Sequence, residues 1–535
     1  MKQKLYIILA VTALTFNACT KGFEEANTNP YEVSTESLKQ DFNYIGAFFP
    51  NILSHVLVNS AGQQVTQNLC SDSWACYMGT PTAFEGGVNN TTYHMVWEDS
   101  MWGEVYENVM PQSRQVIQLA DEGGYKVFSD WAKLIRIMSV SMLTTYHGPV
   151  IYSAYGSAVA NVEYDSEEKL YNTFFTELDA ILATFNANQA YAGLQKFDAT
   201  YNGNVKQWIK VVNSLRLRLA VRISKVKPDL AKAQAEKAFN DPGGLIMTNA
   251  DNLNISLYGQ VHPMVDVCFN WGDTRMSAAM ESILVGYKDN RIEKFFNKVT
   301  DSDVAALCSD HPDKPFKGIQ NGALLGAKDD RVPFSTVNES FKTATYQTYI
   351  QAAEVYFLLA EGKLRNWAVG SKTAEEYYAA GVKASFEKWG AGGADAYLAD
   401  DTSLPLNYTD PKAPAGVNAF VSRITSTVKW HEADTPEQKL EKIITQKWIA
   451  GFPSSFEAWA DFRRTGYPKL PYVYKNDSYA NDGIIAKNDF IKRMRFIPNE
   501  RVNNPQGVGN AINTLSNKKD EIGTRLWWDT GTPNF

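Results

Sequence analysis

The stretch EVYFLLAEGKLRNWAVGSKTAEEYYAAGVKASFEKW, residues 354–389, is the strongest indicator of the fold class of this chain. Its first part is an apolar helical run, which a break at Gly370 ends. Thr373 and Glu376 then form a capping box, the pattern that begins a helix because each side chain can bond the other's backbone N–H. Two helices joined by a short turn are typical of a tetratricopeptide-type unit, which cannot bury its apolar face alone and stacks on neighbouring units.

Similar helical signals continue on both sides of this pair. Apolar residues recur at steps of three and four from Tyr171 to Phe185, and the pattern repeats from Trp208 to Leu219. Thr435, followed by Pro436 and Gln438, predicts the start of another helix, which Gly451 ends. We also expect helices near residues 34–60, 100–120, 128–146 and 229–240.

Long stretches rich in Gly, Asn and Ser separate these helices, at residues 79–95, 242–275, 300–345 and 391–434. Loops of that length in a compact protein are usually functional or disordered. The sequence therefore predicts a mostly α-helical scaffold that carries elaborate loops, on which binding residues concentrate.

The chain begins with the layout of a secretory signal. Lys2 and Lys4 precede an apolar run from Leu5 to Phe16, which is shorter than the roughly 20 residues that span a bilayer. Ala18 and Cys19 then resemble the lipobox of bacterial lipoproteins, in which cleavage precedes the cysteine and the thiol is acylated. An ordinary secreted protein with a chance cysteine is the alternative.

We predict three segments: a signal peptide at residues 1–18, a lipid-anchored tether at 19–34 and a single domain at 35–535. The acidic residues after Cys19 resemble the export signal that sends lipoproteins of Bacteroidetes to the outer face of the outer membrane. No second run of 18 apolar residues exists, so the lipid is the expected membrane attachment.

The composition excludes some classes of protein and favours others. A net charge of −7 argues against nucleic acid, since phosphate binding needs clustered Lys and Arg. Aromatic residues make up 13% of the chain, and in an extracellular protein their flat faces suit stacking on sugar rings.

We find no pattern for catalysis, a cofactor or a metal. His431-Glu432 is not a zinc-protease motif, because Thr435 stands where the second His belongs. Four further cysteines lack CxxC spacing and do not form a disulfide framework, although a local bond between Cys70 and Cys76 stays open. Four Asp residues lack the order of a calcium-binding EF-hand and read as a solvated loop; they are Asp301, Asp303, Asp310 and Asp313.

A series of motifs, in order along nearly the whole chain, resembles the SusD/RagB family of outer-membrane nutrient-binding lipoproteins, in its second SusD-like branch. The series includes NTNP at 27–30, YHGPVIY at 146–152, YDSEEKLY at 164–171, NSLRLR at 213–218, KDNR at 288–291, the helix that begins at Glu354, KWIA at 447–450, EAWADFRRTG at 457–466, RFIPNE at 495–500, NN at 503–504 and WWD at 527–529. The chain departs from the family at His147-Gly148, where Gly followed by Asp is usual, and at Phe496, which replaces a common Tyr. Both differences concern structural positions.

The resemblance implies a mostly α fold, in which tetratricopeptide-like helix pairs form a right-handed superhelical scaffold with long ligand-binding loops. It also implies a protein that caps a SusC-like TonB-dependent transporter and captures oligosaccharide, or in some members peptide, without chemistry. A lipid-anchored glycoside hydrolase and a purely structural lid are the alternatives from other classes.

Two aromatic and amide clusters are the candidate ligand sites. The first follows residue 71, and the second lies on the 242–275 loop. We select from them Trp74, Tyr77, Asn89, Asn90 and Tyr93, together with Asn270 and Trp271. Each aromatic could equally be a core residue, and core positions are favoured for Trp97 and Trp102. Asp461, Arg463 and Arg464 match a family motif and are interpreted as scaffold ion pairs.

Overall fold

The computed structural model describes residues 40–58, 62–299, 302, 306, 308 and 311–535. The predicted signal peptide, Cys19 and its tether lie outside the described residues, as do Asp301, Asp303 and Asp310. The chain divides into two compact units, residues 1–47 and 48–535. In the first unit, a 3-10 turn at Gln40–Phe42 precedes the short helix Asn43–Gly46. The predicted domain boundary at residue 35 stays a prediction.

The second unit is built from helices, as the sequence predicts. The longer ones are α1 (Met110–Glu122), α2 (Lys126–His147), α3 (Glu167–Ala187), α4 (Val205–Arg222), α5 (Pro228–Asn240), α6 (Ala278–Gly286), α7 (Ala352–Leu364), α8 (Ala374–Lys388), α9 (Pro436–Gly451), α10 (Ser455–Thr465) and α11 (Pro505–Ile512). The shorter α-helices are Phe49–Ser54, Ser100–Gly103, Pro263–Val265, Ile292–Phe295, Ala394–Leu398 and Pro498–Asn503. Wider π-helical turns occur at Gln64–Asp72, Glu104–Val109 and Asp266–Asn270.

Two small antiparallel sheets connect distant loops. Strand β1 (Met78–Gly79) pairs with β3 (Arg275–Met276), and β2 (Leu253–Ser256) pairs with β4 (Tyr346–Ile350). Because β1 belongs to the N-terminal loop region and β3 to the 242–275 loop, the first sheet holds the two predicted ligand-site regions beside each other.

The helices pack as neighbouring pairs, with α1 on α2, α4 on both α3 and α5, and α7 on both α8 and α9. The predicted capping box at Thr373 begins α8, and the one at Thr435 begins α9. Small residues let α7 and α8 approach closely, since a Cβ at Gly381 would lie 2.8 Å from the Phe357 ring. The mostly α-helical fold built on tetratricopeptide-like helix pairs is therefore confirmed.

Buried ion pairs join four of these helices. Arg218 of α4 binds Glu354 of α7 at 2.7 Å, and Arg222 of α4 pairs with Glu457 of α10. Lys447 of α9 continues the network to Asp461 of α10 at 2.6 Å.

The network ends at Arg464, which binds both oxygens of Glu361 at 2.6 and 2.8 Å and contacts Asp461 at 3.0 Å. Arg365 adds a second cation beside Glu361, at 2.8 Å. The predicted scaffold ion pair is thus confirmed for Asp461 and Arg464. Arg463 instead lies over the Trp459 ring, 3.3 Å from its centroid, and donates to the backbone carbonyls of Thr145 and Lys492.

The cations determine the charge state of the carboxylates. Burial alone would raise the pKa of Glu361, but Arg464 and Arg365 outweigh it and lower that pKa. Burial likewise opposes ionisation of Asp461, whose pKa Lys447 and Arg464 lower. Because these folded-state pKa values lie below the ordinary ones, the stabilisation is complete above the ordinary pKa and is lost as the pH falls through the folded-state pKa.

We predict that Glu361→Gln lowers the free energy of unfolding by about 3–5 kcal/mol, because it leaves the buried Arg464 and the partly buried Arg365 without their shared carboxylate. Urea unfolding at neutral pH measures the change. The matched control is Glu375→Gln on the exposed side of α8, which we expect to change stability by less than about 0.5 kcal/mol. Equal effects of the two variants would contradict the structural role of the network.

Candidate functional site

The five residues selected in the N-terminal region lie inside the protein. Trp74, Tyr77, Tyr93, Asn89 and Asn90 are each at most 3% exposed. The Trp74 indole N–H donates to the Asn90 carbonyl at 2.9 Å, and the Tyr77 hydroxyl donates to the carbonyl of Trp448. These contacts correct the sequence-based choice of the five residues, because a ligand has no access to their rings or amides.

Asn89 and Asn90 instead shape the loop that surrounds them. The Asn89 side chain accepts from the Thr91 backbone N–H at 2.9 Å and donates to the Phe84 carbonyl at 2.8 Å. The Asn90 side-chain oxygen accepts from the Val96 backbone N–H at 2.9 Å. The amide density that marked this segment in the sequence therefore fixes the backbone of residues 84–96.

The four cysteines of the described region are free and buried. Cys70 and Cys76, between which the sequence alone permits a local disulfide, are not bonded to each other. Burial in the core raises the pKa of each of these two thiols to about 12. Neither thiol is therefore activated for chemistry.

Trp271, the aromatic residue selected from the second cluster, is exposed at the protein surface. It is 45% exposed and directly follows the π-helical turn Asp266–Asn270. Its backbone carbonyl accepts from the Lys328 ammonium at 2.8 Å. A flat aromatic ring is thus accessible at the surface, as stacking on a sugar requires.

A network of polar side chains meets the loop that carries Trp271. Asp273 binds Lys328 at 2.6 Å and accepts from the Thr82 hydroxyl at 2.6 Å. Asn270 is exposed and donates to Asp266 at 2.7 Å, which leaves its amide oxygen facing away from that bond. We call these five residues, Thr82, Asn270, Trp271, Asp273 and Lys328, the Trp271 surface.

The loop that contains Thr82 also carries Phe84 and His94, whose rings pair with Trp97 and Tyr479. Phe84 meets the edge of Trp97 at 6.3 Å between ring centroids, and His94 stacks on Tyr479 at 4.5 Å. These four rings are half-buried. Trp97, predicted as core, is therefore partly accessible, whereas Trp102 is 5% exposed, as expected of a core residue.

The sequence analysis did not identify Lys328 as a partner of Trp271, or Thr82 as a partner of Asp273. Lys328 lies 57 positions further along the chain than Trp271, and no local pattern joins the two. The exposure of Trp271 could be predicted from the sequence, because its neighbours Asn270, Gly272 and Asp273 are typical turn residues.

Two further features are absent from the residues that the structure describes. None of the described helices is long and apolar enough to cross a membrane. Within the same residues, no group of three or more His, Cys, Asp and Glu side chains could hold a metal ion.

Comparison with known proteins identifies relatives over nearly the whole chain. The family model described as "SusD-like: Susd and RagB outer membrane lipoprotein" matches residues 25–529. No curated protein is significantly similar to the chain.

Several solved structures resemble the chain closely. A chitin-binding SusD homologue from Flavobacterium johnsoniae is 39% identical, with a TM-score of 0.85, and the match covers 92% of this chain and 100% of that one. A SusD homologue from Bacteroides uniformis is 33% identical, with a TM-score of 0.83 and coverage of 91% and 99%. One from Bacteroides vulgatus is 32% identical, with a TM-score of 0.85 and coverage of 92% and 99%.

We predict that Trp74→Ala acts on stability rather than on binding. The Trp74 ring packs on Trp459 at 4.6 Å, so its removal leaves a core cavity and should cost about 3–5 kcal/mol. Thermal unfolding measures the loss, and Trp271→Ala is the exposed control, for which we expect little change. An unchanged melting temperature in Trp74→Ala would contradict the core position.

Proposed function

The chain belongs to the SusD-like family of outer-membrane lipoproteins, and on that premise we propose that it captures a glycan at the Trp271 surface. Family membership agrees with the prediction of a binding protein rather than an enzyme. In this proposal the protein is anchored through lipid on Cys19, faces the cell exterior and passes its ligand to a SusC-like TonB-dependent transporter.

Support for this function comes from the exposed Trp271 ring and from the polar side chains that bond to its loop. The C–H face of a sugar packs on an indole face, while hydroxyl groups need hydrogen-bond donors and acceptors around the ring. Asn270 offers an amide and Lys328 an ammonium, and Asp273 holds Lys328 in place at 2.6 Å.

Chitin fragments are the first ligand class to test. The F. johnsoniae relative, which is described as chitin-binding, is 39% identical over its whole length. A chitooligosaccharide also presents the apolar ring faces that Trp271 suits. Two alternatives remain for the binding experiments to distinguish. One is peptide capture on the same scaffold, and the other is a lid that binds no ligand itself.

We predict that Trp271→Ala weakens binding of chitohexaose at least about tenfold, which corresponds to about 1.4 kcal/mol. Isothermal titration calorimetry of the full chain measures the affinity, and product analysis of the mixture checks that the sugar stays intact. Phe535→Ala is the matched control, since Phe535 is exposed to a similar degree, 49% against 45%.

Three results would each change the proposal. An unaltered affinity of Trp271→Ala for chitohexaose would indicate that the ligand binds at another surface. Binding of peptides alone would support the peptide alternative, and no binding of either class would favour a lid.

We predict that Cys19→Ala yields a folded protein that no longer associates with membranes, because the acylated thiol is the proposed anchor. Fractionation of cells expressing the two forms checks this. The variant should move from the outer-membrane fraction to the soluble one, with an unchanged melting temperature. Retention of the variant in the outer membrane would contradict lipid anchoring through this residue.

A further inference from the structure

We propose that a cavity separate from the Trp271 surface binds a small acidic sugar, whose carboxylate is received by Lys388. The cavity has a volume of about 340 Å³, within the range of small-molecule sites. It lies between β4 and the residues before it, the end of α8, and the junction of α9 and α10. No residue of the Trp271 surface lines it.

Lys388 is a cation without an acidic partner. Its ammonium donates to the Gln351 side-chain oxygen at 2.9 Å, and Gln351 is held by its own bond to the Ala450 carbonyl at 2.8 Å. Among the described residues Lys388 forms no ion pair. Glu354, the acidic group whose charge acts on it, is bound by Arg218 at 2.7 Å. An ammonium carries three donors, so two remain for a ligand.

The electrostatics of the lining agree with an anionic ligand. Burial lowers the pKa of Lys388 to about 8, because the cavity wall removes water from the cation. Burial also lowers the pKa of His262 to about 4, so this neighbour is neutral at physiological pH. Lys388 is therefore the one cation among the lining residues that the structure describes. A bound carboxylate would replace the water that Lys388 has lost.

The remaining lining suits the ring and hydroxyls of a sugar. It combines amides and hydroxyls with aromatic rings; examples are Gln67, Gln347, Thr343 and Thr348, with Phe341, Trp389 and Phe452. The Trp389 indole N–H and the Gln63 amide oxygen lack hydrogen-bond partners among the described residues. Gln63 is 1% exposed, and an unpaired polar group at such depth costs about 1–3 kcal/mol.

This combination selects among ligand classes. A neutral sugar would leave the Lys388 charge unpaired, and a simple carboxylate would leave the aromatic rings and the hydroxyl-binding groups without contacts. A sugar acid would pair its carboxylate with Lys388 and place its ring and hydroxyl groups against the aromatic and polar lining. The cavity is reached from outside past Tyr346, a lining residue that is 45% exposed.

Isothermal titration calorimetry of the full chain with D-glucuronate tests the proposal, with D-glucose as the neutral probe and L-glutamate as the carboxylate without a sugar ring. We expect glucuronate to bind at least tenfold more tightly than either comparison ligand. Lys388→Met should remove at least tenfold of the glucuronate affinity, and Lys388→Arg should restore most of it.

Controls separate this site from the glycan surface and from unfolding. Lys383→Met, on the same helix but exposed and paired with Asp395 at 2.7 Å, should bind glucuronate as the natural chain does. Trp271→Ala should also leave glucuronate binding unchanged, whatever it does to chitohexaose. Should Lys388→Met fail to fold, reductive methylation of the natural chain gives the same answer, because glucuronate should protect Lys388 and glucose should not.

The proposal is overturned if glucuronate does not bind, if it binds Lys388→Met as well as the natural chain, or if glutamate binds equally well. The last result would indicate a carboxylate site without sugar selectivity. Failure of chitohexaose binding would not bear on this cavity.

Discussion

The low dielectric of the interior makes the buried charges between α4, α7, α9 and α10 depend on one another. A buried carboxylate or guanidinium left alone would be strongly destabilising, so each must meet its partner. Arg218 with Glu354 and Arg464 with Glu361 both satisfy this requirement at 2.7 Å or less. We expect such pairs to contribute more to the specificity of helix packing than to net stability, because few other registers of the helices would pair every buried charge. The positions of the loops between these helices follow from that register.

The small sheets attach the loops to the helical scaffold and so restrict the movement of the loop backbones. Strand β1 pairs with β3, and β3 lies just beyond Trp271 in the chain. Close backbone packing around this sheet requires glycine, since a Cβ at Gly318 would lie 2.2 Å from the Ser277 carbonyl oxygen. The Trp271 ring is therefore presented by a loop whose base is part of the scaffold. A preorganised surface of this kind loses little conformational entropy when it binds.

Local sequence patterns identified the helices better than the binding surface, and the reason is physical. A capping box such as that of Thr373 is complete within four residues, so the sequence alone contains it. The burial of Trp74 depends on Trp459, which is 385 positions away, and no local pattern distinguishes such a ring from an exposed one. Trp271 was identified for the same aromatic character, but it differs in its turn-forming neighbours. The proposed ligand-binding roles of Lys328 and Lys388 depend on tertiary contacts, which no local sequence pattern indicates.

In the proposed function, a rigid helical scaffold presents Trp271 to a glycan that the protein binds without cleaving. A crystal structure of the chain soaked with chitohexaose would show whether this happens. We expect an intact sugar with one ring stacked on the Trp271 indole, hydrogen bonds to Asn270 or Lys328, and a scaffold backbone that does not move. A sugar bound elsewhere on the molecule, or one found cleaved, would contradict it.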